Sequence, residues 1–538
     1  QIRRKEAIHM PKKCETNKFE KYFELPNPAL RSYFGRVVQG QPDVYRTPFY
    51  KGRDVTSILD EWMPHLEVLK KDWPTLLEFE KDLAKKVGPM SVMFPLEKRM
   101  PDIDSYYDSI LLESKPIPRY AVDAVIKEFG AVRGLRLRSQ ARTVELMKKS
   151  TNSGSPYFRK RRDVTEKTIP CSIHVKDMLQ RLPSTDAYRA CAVLGWRGQE
   201  GGPRPEDVKQ RVVWMFPYAV NICELQLYQP LIETCQKFNL VPAWVSMEAV
   251  DERITALFDT KDPKDLIVCT DFSKFDQHFN EDMAKCAQTI LEALMTPDFA
   301  SREWIDGIFP IKYEIPLAYD WGKIREGRHG MGSGSGGTNA DETLTHRALQ
   351  HEAAIASGAR LNLNSMCLGD DGILTYPGIN VEDVTRIYSS HGQDMNLDKQ
   401  YASTDDCTYL RRWHHKDYRQ DGICVGVYST ARALGRLAEQ ERYYDPETWG
   451  PKMVALRQLS ILENIKYHPL REEFVDFCMK GDKFRLGIDI PGFLDDIESV
   501  AHEATDNMPD FLGYTKSMQK GAETGIAEWW IVKYLKSQ

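Results

Sequence analysis

A chain of 538 residues with 42% hydrophobic content can build several domains or one multi-lobed enzyme, and disorder is excluded as its default state. The 73 Lys and Arg against 78 Asp and Glu leave a formal charge of −5, which excludes a protein that coats polyanions with its whole surface; a nucleic-acid site has to be a local basic groove. The 11 cysteines are scattered singly from Cys14 to Cys478 without a Cys-x-x-Cys pair, which excludes a zinc ribbon or disulfide scaffold and fits free thiols in a reducing compartment.

The N-terminal stretch "QIRRKEAIHMPKKCETN" is basic but lacks the apolar core of a secretory signal, and no apolar run approaches a membrane span, so a soluble intracellular protein is expected. Met10 is a candidate native start, and residues 1 to 9 carry no weight in the reading. Helical periodicity dominates and no internal repeat is visible; residues 57 to 87 read as helix broken at Pro64 and Pro74. Few linkers are apparent, which predicts one interlocked unit.

From Arg133 to Arg162, ten Lys and Arg face the single acid Glu145, with Tyr157 and Phe158 interleaved. Surface helices often carry such charge harmlessly, but the lack of compensating acids is what a phosphate-tracking groove needs. In "RPEDVKQRVVW" Lys209 and Arg211 stand two apart, so on an extended strand both point the same way, a geometry suited to a triphosphate.

"DLIVCTDF", residues 265 to 272, predicts a strand buried on both faces that ends at Asp271. Asp276 precedes the helical pattern "NEDMAKCAQTILEALM", where a capping role is the ordinary alternative. Next, "MGSGSGGTNADETLTHRALQHEAAIA" passes from a glycine loop into a helix with Ala340, Leu344, Ala348 and Ile355 on one face. Its Ser333, Ser335, Thr338 and Asn339 suit a loop that lets backbone approach a nucleotide. Neither a P-loop ending nor a dinucleotide-fold context is present. "MCLGDDGILTY", residues 366 to 376, reads as a hairpin whose tight turn holds Asp370 and Asp371 between glycines. Such a turn is either inert or a hard-oxygen site for Mg²⁺ or Mn²⁺, whose charge would relieve the repulsion between the acids. If the two strand segments pair, Asp271 and Asp370 can share two metal ions.

In order, "TNSGSPY", "KQRVVW", "DFSKFD", "SGSGGTN", "GDD", "NLDK" and "YLRR" resemble motifs G, F and A to E of viral RNA-dependent RNA polymerases, those of picobirnaviruses in particular. The resemblance covers about residues 150 to 415 by motif. It implies a helix-rich α+β fold, a closed right-hand polymerase with fingers, palm and thumb around an antiparallel palm sheet. The implied division is residues 1–60 as an N-terminal extension, 61–250 and 277–328 as fingers, 251–276 and 329–412 as palm, and 413–538 as thumb and C-terminal segment.

The resemblance also implies roles. Asp271 and Asp370, with Asp371 less directly engaged, would hold two Mg²⁺ or Mn²⁺ ions about 3.5–4 Å apart for in-line nucleotidyl transfer from nucleoside triphosphates to an RNA 3′-hydroxyl. Asp276 would read the ribose 2′-hydroxyl. The family pattern around the glycine loop fits at Ser333, Gly334 and Thr338, but position 342 is Glu, which leaves the partner of Asp276 between Asn339 and Asp341. Lys209 and Arg211 would bind triphosphate, and Lys399 would act as general acid toward pyrophosphate. Thr151, Ser153, Gly154, Pro156, Arg159 and Arg161 would line the way in for template, and Arg411 would support the primer strand. His414 and His415 lack further ligands at metal spacing and are assigned a structural role at the thumb base. The implied partners are template and product RNA, nucleoside triphosphates and viral capsid protein, with no membrane and a monomeric state, in the virion interior and host cytoplasm. The rivals are a reverse transcriptase and an inactive RNA-binding virion protein of the same fold.

Overall fold

The computed structural model describes residues 16–183, 186–507 and 525–538; residues 1 to 9 and Met10 lie outside them. The chain divides into two compact units, one built from Gln1–Gln39, Pro95–Gly195 and Val212–Cys407, the other from Gly40–Phe94, Trp196–Arg211 and Thr408–Gln538. The expectation of a single interlocked unit is corrected in this respect. All described cysteines are free, and all but Cys171 are buried.

In the first unit, the elements that position the site are α1 (Arg119–Glu128), β1 (Ala192–Gln199), β2 (Lys209–Met215), α2 (Tyr218–Lys237), β3 (Ile267–Thr270), α3 (Glu281–Leu294), β4 (Leu317–Asp320), β5 (Lys323–Arg325), α4 (Thr338–Ala356), β6 (Met366–Leu368), β7 (Asp371–Leu374) and β8 (Tyr401–Ser403). β1 and β2 each pass from one unit into the other. One sheet has the order β8-β3-β7-β6, antiparallel throughout. Another has the order β2-β1-β4-β5, with β1 and β4 parallel.

β3 is four residues long and buried at every one, as its unbroken apolar run predicts. α3 starts where Asn280 Oδ1 accepts from the Met283 amide at 3.1 Å, and Glu281 and Asp282 in its first turn oppose the helix dipole favourably. α4 departs from expectation. It packs against α1, α3 and β6, and every residue from Ala340 to Ala354 is buried, whereas Ile355, expected on the apolar face, is 39% exposed. A helix enclosed on all sides must satisfy its polar residues internally. Arg347 and His351 both reach Glu128 of α1, at 2.7 and 2.8 Å, and Glu352 accepts from His391 at 2.7 Å.

The second unit is held by a core that includes Trp62, Leu76, Trp413, Leu456 and Phe474. Helices Val55–Trp62 and Pro74–Ala84 flank a short 3₁₀ segment, so the prolines interrupt the helical pattern where the sequence placed the breaks. Trp413 donates its indole N–H to Thr75 at 3.0 Å, and Trp62 does the same to Thr430 at 2.8 Å.

Candidate active site

The acid pair of the hairpin over residues 366 to 376 is set by the register of β6 and β7. Leu368 pairs with Asp371, so the two-residue turn is Gly369-Asp370, and Asp371 already belongs to the strand. Gly369 has φ +59° and Asp370 does not share the positive φ, which makes this a II′ turn with glycine at its first central position. The sequence placed both acids in the turn; the structure corrects this by one residue. Gly372, the second of the glycines that flank the acids, is demanded by a neighbour: a Cβ there would lie 2.6 Å from the His346 ring.

Two side chains of α4 fix the turn from below. The Gly369 amide donates to Thr343 Oγ1 at 2.9 Å, and His346 Nδ1 donates to the Gly369 carbonyl at 2.9 Å. Burial lowers the His346 pKa to about 4, so the ring is uncharged at neutral pH.

β3 pairs with β7 so that Thr270 faces Gly372. Asp271 is the residue that leaves β3 just after Thr270, and Asp371 is the one that enters β7 just before Gly372, next to the exposed Asp370. Asp271 is anchored by a residue that sequence reasoning did not single out. Gln400 Oε1 accepts from the Asp271 amide at 2.7 Å, and its Nε2 donates to the Asp271 carbonyl at 2.9 Å and to Asn396 O at 2.9 Å. Lys399 is the exposed residue immediately before it, at the end of the 3₁₀ turn Leu397–Lys399. Because Tyr401 of β8 pairs with Cys269, this turn adjoins the end of β3 that carries Asp271.

Asp276 meets Glu342. Burial pushes the Glu342 carboxyl well above the usual range, and the facing carboxylate of Asp276, hydrogen bonding with it, and Asp370 push it further. Glu342 Oε2 is buried without a hydrogen-bond donor. The residue that broke the motif pattern is therefore the companion of Asp276, and the departure itself was the signal. Asp341 is turned away: fully buried, it accepts from the hydroxyls of Tyr228 and Tyr313 at 2.7 Å each and pairs with Lys312 at 2.9 Å. Successive helical residues point about 100° apart, so both cannot face Asp276. Asn339 accepts from the Trp244 indole at 2.8 Å and lies near Gly369.

The glycine loop packs tightly on its own molecule. A Cβ at Gly334 would stand 1.5 Å from the Trp214 carbonyl oxygen. Ser333 donates to Val212 O at 3.3 Å, and Thr338 donates to Gly332 O at 3.3 Å and Ser335 O at 3.2 Å.

In the basic segment, Thr151 and Arg159 are exposed, Pro156 is half-buried, and Ser153 and Gly154 are buried. Ser153 bonds Arg159 through both its amide and its hydroxyl, so it shapes the loop instead of facing RNA. Arg161 also differs from expectation. Its guanidinium donates to Asn221 Oδ1 at 2.9 Å and lies over the Tyr218 ring.

In the second unit, Lys209 and Arg211 are exposed on one face of β2, while Gln210 between them points inward and accepts from Phe94 N at 2.9 Å and the Trp196 indole at 2.8 Å. The two-apart alternation holds. Arg411 has φ +62° and lies 4.0 Å from Glu200, which also pairs with Arg432 at 3.0 Å. His414 is fully buried and bonded to Cys424 O at 3.0 Å, with its pKa lowered by burial to about 3, in keeping with a structural role.

All-oxygen donors suit a hard divalent cation. Among the described residues no group of three or more His, Cys, Asp or Glu forms a ready metal cage. Asp271, Asp370 and Asp371 offer carboxylate oxygens, the donor type that such a cation takes.

Three comparisons agree. The family described as viral RNA-dependent RNA polymerase matches residues 136–424. A protein described as a potential RNA-dependent RNA polymerase of human picobirnavirus (strain Human/Thailand/Hy005102/-) is 64% identical over 530 residues, 97% of this chain and 99% of that one. A crystal structure of the RNA-dependent RNA polymerase of a human picobirnavirus superposes with TM-score 0.93 at 63% identity, covering 98% of this chain and 100% of that one. An insertion-loop deletion mutant of such a polymerase gives TM-score 0.91 at 61% identity, with the same coverage.

Proposed function

The chain belongs to the viral RNA-dependent RNA polymerases, and on that footing we propose that Asp271 and Asp370, assisted by Asp371, hold two Mg²⁺ or Mn²⁺ ions for nucleotidyl transfer. RNA and nucleoside triphosphates are the substrates of such an enzyme, and the family works with divalent metal. The observation that carries the residue assignment is the β3–β7 ladder, which brings the end of β3 to the Gly369-Asp370 turn.

When bound, the ions supply activation of the RNA 3′-hydroxyl and neutralise charge on the departing pyrophosphate. The chain's own groups do the rest. Lys209 and Arg211 bind triphosphate oxygens. Asp276, oriented by Glu342, accepts from the ribose 2′-hydroxyl, a group that separates RNA from DNA precursors. Ser333, Gly334, Thr338 and Asn339 border the nucleotide, and Lys399, held beside Asp271 by the adjacent Gln400, donates a proton to pyrophosphate. Thr151, Pro156 and Arg159 guide template, and Arg411 steadies the primer strand. We read 61–250 and 277–328 as fingers, 251–276 and 329–412 as palm, and 413–538 as thumb and C-terminal segment, after an extension over 1–60. We place the enzyme as a monomer in the virion interior and host cytoplasm with capsid protein as neighbour; no helix among the described residues is long and apolar enough to cross a membrane.

The test is Asp370→Ala. Incorporation of nucleotides on a defined RNA template is expected to fall below detection, with melting temperature and RNA affinity close to wild type, because the residue is exposed and removes a ligand without removing core packing. Wild-type-like synthesis by this variant would reject the assignment.

A further inference from the structure

Arg161, the basic residue expected to face RNA, begins a chain of hydrogen bonds that runs inward and ends on the glycine loop. Its Nη2 donates to Asn221 Oδ1 at 2.9 Å. Asn221, one turn into α2 and 5% exposed, donates from Nδ2 to Glu224 Oε1 at 3.1 Å and to the Gly334 carbonyl at 3.2 Å. Glu224 has no exposed surface, and both its oxygens are used by the loop: Oε2 accepts from the Ser335 hydroxyl in a short bond, and Oε1 accepts from the Gly336 amide at 3.0 Å.

A buried carboxylate is costly unless its lone pairs meet donors, and here most of the donors are supplied by the loop itself. Burial pushes the Glu224 carboxyl up; the charge of Lys312, the Ser335 hydroxyl and the Gly336 amide pull it back. Lys312, equally buried, also pairs with Asp341 at the start of α4, so the loop is tied at both its middle and its far end. The loop therefore has little freedom to choose its own conformation. It is glycine-rich and yet tied in place from α2.

We propose that Asn221 and Glu224 are positioning residues, a buried relay that sets the glycine loop, with its Ser333 and Thr338, relative to the basic segment that carries Arg159 and Arg161. The inference rests on the reading of that loop as the border of the nucleotide site. Neither side chain touches substrate. Their effect is on where the loop stands when a nucleotide arrives, so their loss weakens nucleotide binding more than turnover or RNA affinity.

The experiment uses the full chain with Glu224→Gln, which keeps the shape but leaves one oxygen to do the work of two, and Ser335→Ala, which removes the partner hydroxyl. Hydrogen exchange over residues 332–337, without nucleotide or metal, is expected to quicken about tenfold at the Gly336 amide in Glu224→Gln. On a defined RNA template the nucleotide KM is expected to rise about tenfold in each variant with kcat changed less than about threefold and RNA affinity less than about twofold. The double variant should be no worse than the worse single, because both loosen the same attachment of the loop to Glu224, one at Oε1 and the other at Oε2. Unchanged exchange and KM with only a lowered melting temperature would overturn the proposal, and so would additive effects in the double variant. Should Glu224→Gln fail to fold, Asn221→Ala breaks the Arg161 and Gly334 links without altering a buried charge, and the same KM rise supports the relay while its absence rejects it. A wild-type protein that incorporates no nucleotide would defeat the polymerase-site reading, while the exchange result still decides the relay.

Discussion

Asp341 and Glu342 are neighbours in sequence whose carboxyl groups bond different partners. Asp341 is enclosed by two tyrosine hydroxyls and the Lys312 ammonium, a complete set of donors that leaves it nothing to offer a nucleotide. Glu342 faces another acid, and an acid in that position is useful if it keeps a proton and donates to Asp276, fixing the oxygen that accepts from the ribose. That account makes a paired prediction. Glu342→Gln, whose amide can still donate, should retain the preference for ribonucleotides over deoxyribonucleotides, whereas Glu342→Ala should lower the ratio of their kcat/KM by about tenfold, the scale of one misplaced hydrogen bond. Parallel kinetics with ATP and dATP on one template check it. An Ala variant with an unaltered ratio would return the sugar-reading role to Asn339. At this scale the places of Asp271, at the end of β3, and of Asp370, in the β6–β7 turn, were legible because apolar runs ended by turn residues mark both. Gln400 was not, since an amide bonded to a peptide 129 residues earlier leaves no local trace.

Elements were legible where their pattern answers to the chain nearby. β3 and the β6–β7 hairpin follow from apolar runs ended by turn residues, and even the one-residue error in the turn has a local cause: Gly-Asp and Asp-Gly are both good turns, and contact of Gly372 with His346 decides between them. α4 was misread as an ordinary half-exposed helix because its polar residues find partners far away in sequence. Arg347 and His351 converge on Glu128, which lies more than 200 residues earlier. Burial alone would raise the Glu128 pKa, but Arg347, with help from His351, holds it down to about 2 from the ordinary 4.5. A depressed carboxylate contributes stability that is whole above its unfolded pKa, so this contribution is present above about pH 4.5 and is lost as pH falls toward about 2. Glu128→Ala should therefore cost about 3–5 kcal/mol near neutral pH, because it leaves the Arg347 charge buried without its partner. Denaturant unfolding from pH 6 down to pH 3 is the check: the variant should lose less stability than wild type over that acid range, and an identical slope would show that the pair does not carry the acid limb.

For the whole molecule, motif order made the α+β polymerase fold legible, whereas the division into two units was not. The units are assembled from alternating chain segments, and of the five crossings from one to the other two fall inside β1 and β2, where no glycine- or proline-rich linker could announce a boundary. Charge behaves the same way. A protein with net charge −5 that takes RNA as substrate needs a local concentration of cations; the ten between Arg133 and Arg162 form one in sequence, and the fold already engages several of them. Arg138 is paired with Glu233, Arg142 with Glu145 at 2.8 Å, and Arg161 is engaged by Asn221 and Tyr218. RNA affinity should fall with salt as counterions are released, each phosphate contact adding about −0.7 to the slope of log affinity against log salt on a single strand. Arg159→Ala, at an exposed position of the loop, should weaken binding uniformly across sequences and reduce the slope by about that amount. Arg161→Ala should leave the slope as it is and raise the nucleotide KM instead, since its guanidinium supports α2 and, through it, the glycine loop. Titrations of a labelled single strand at several salt concentrations separate the two; equal slope changes in both variants would mean that Arg161 leaves Asn221 when RNA arrives.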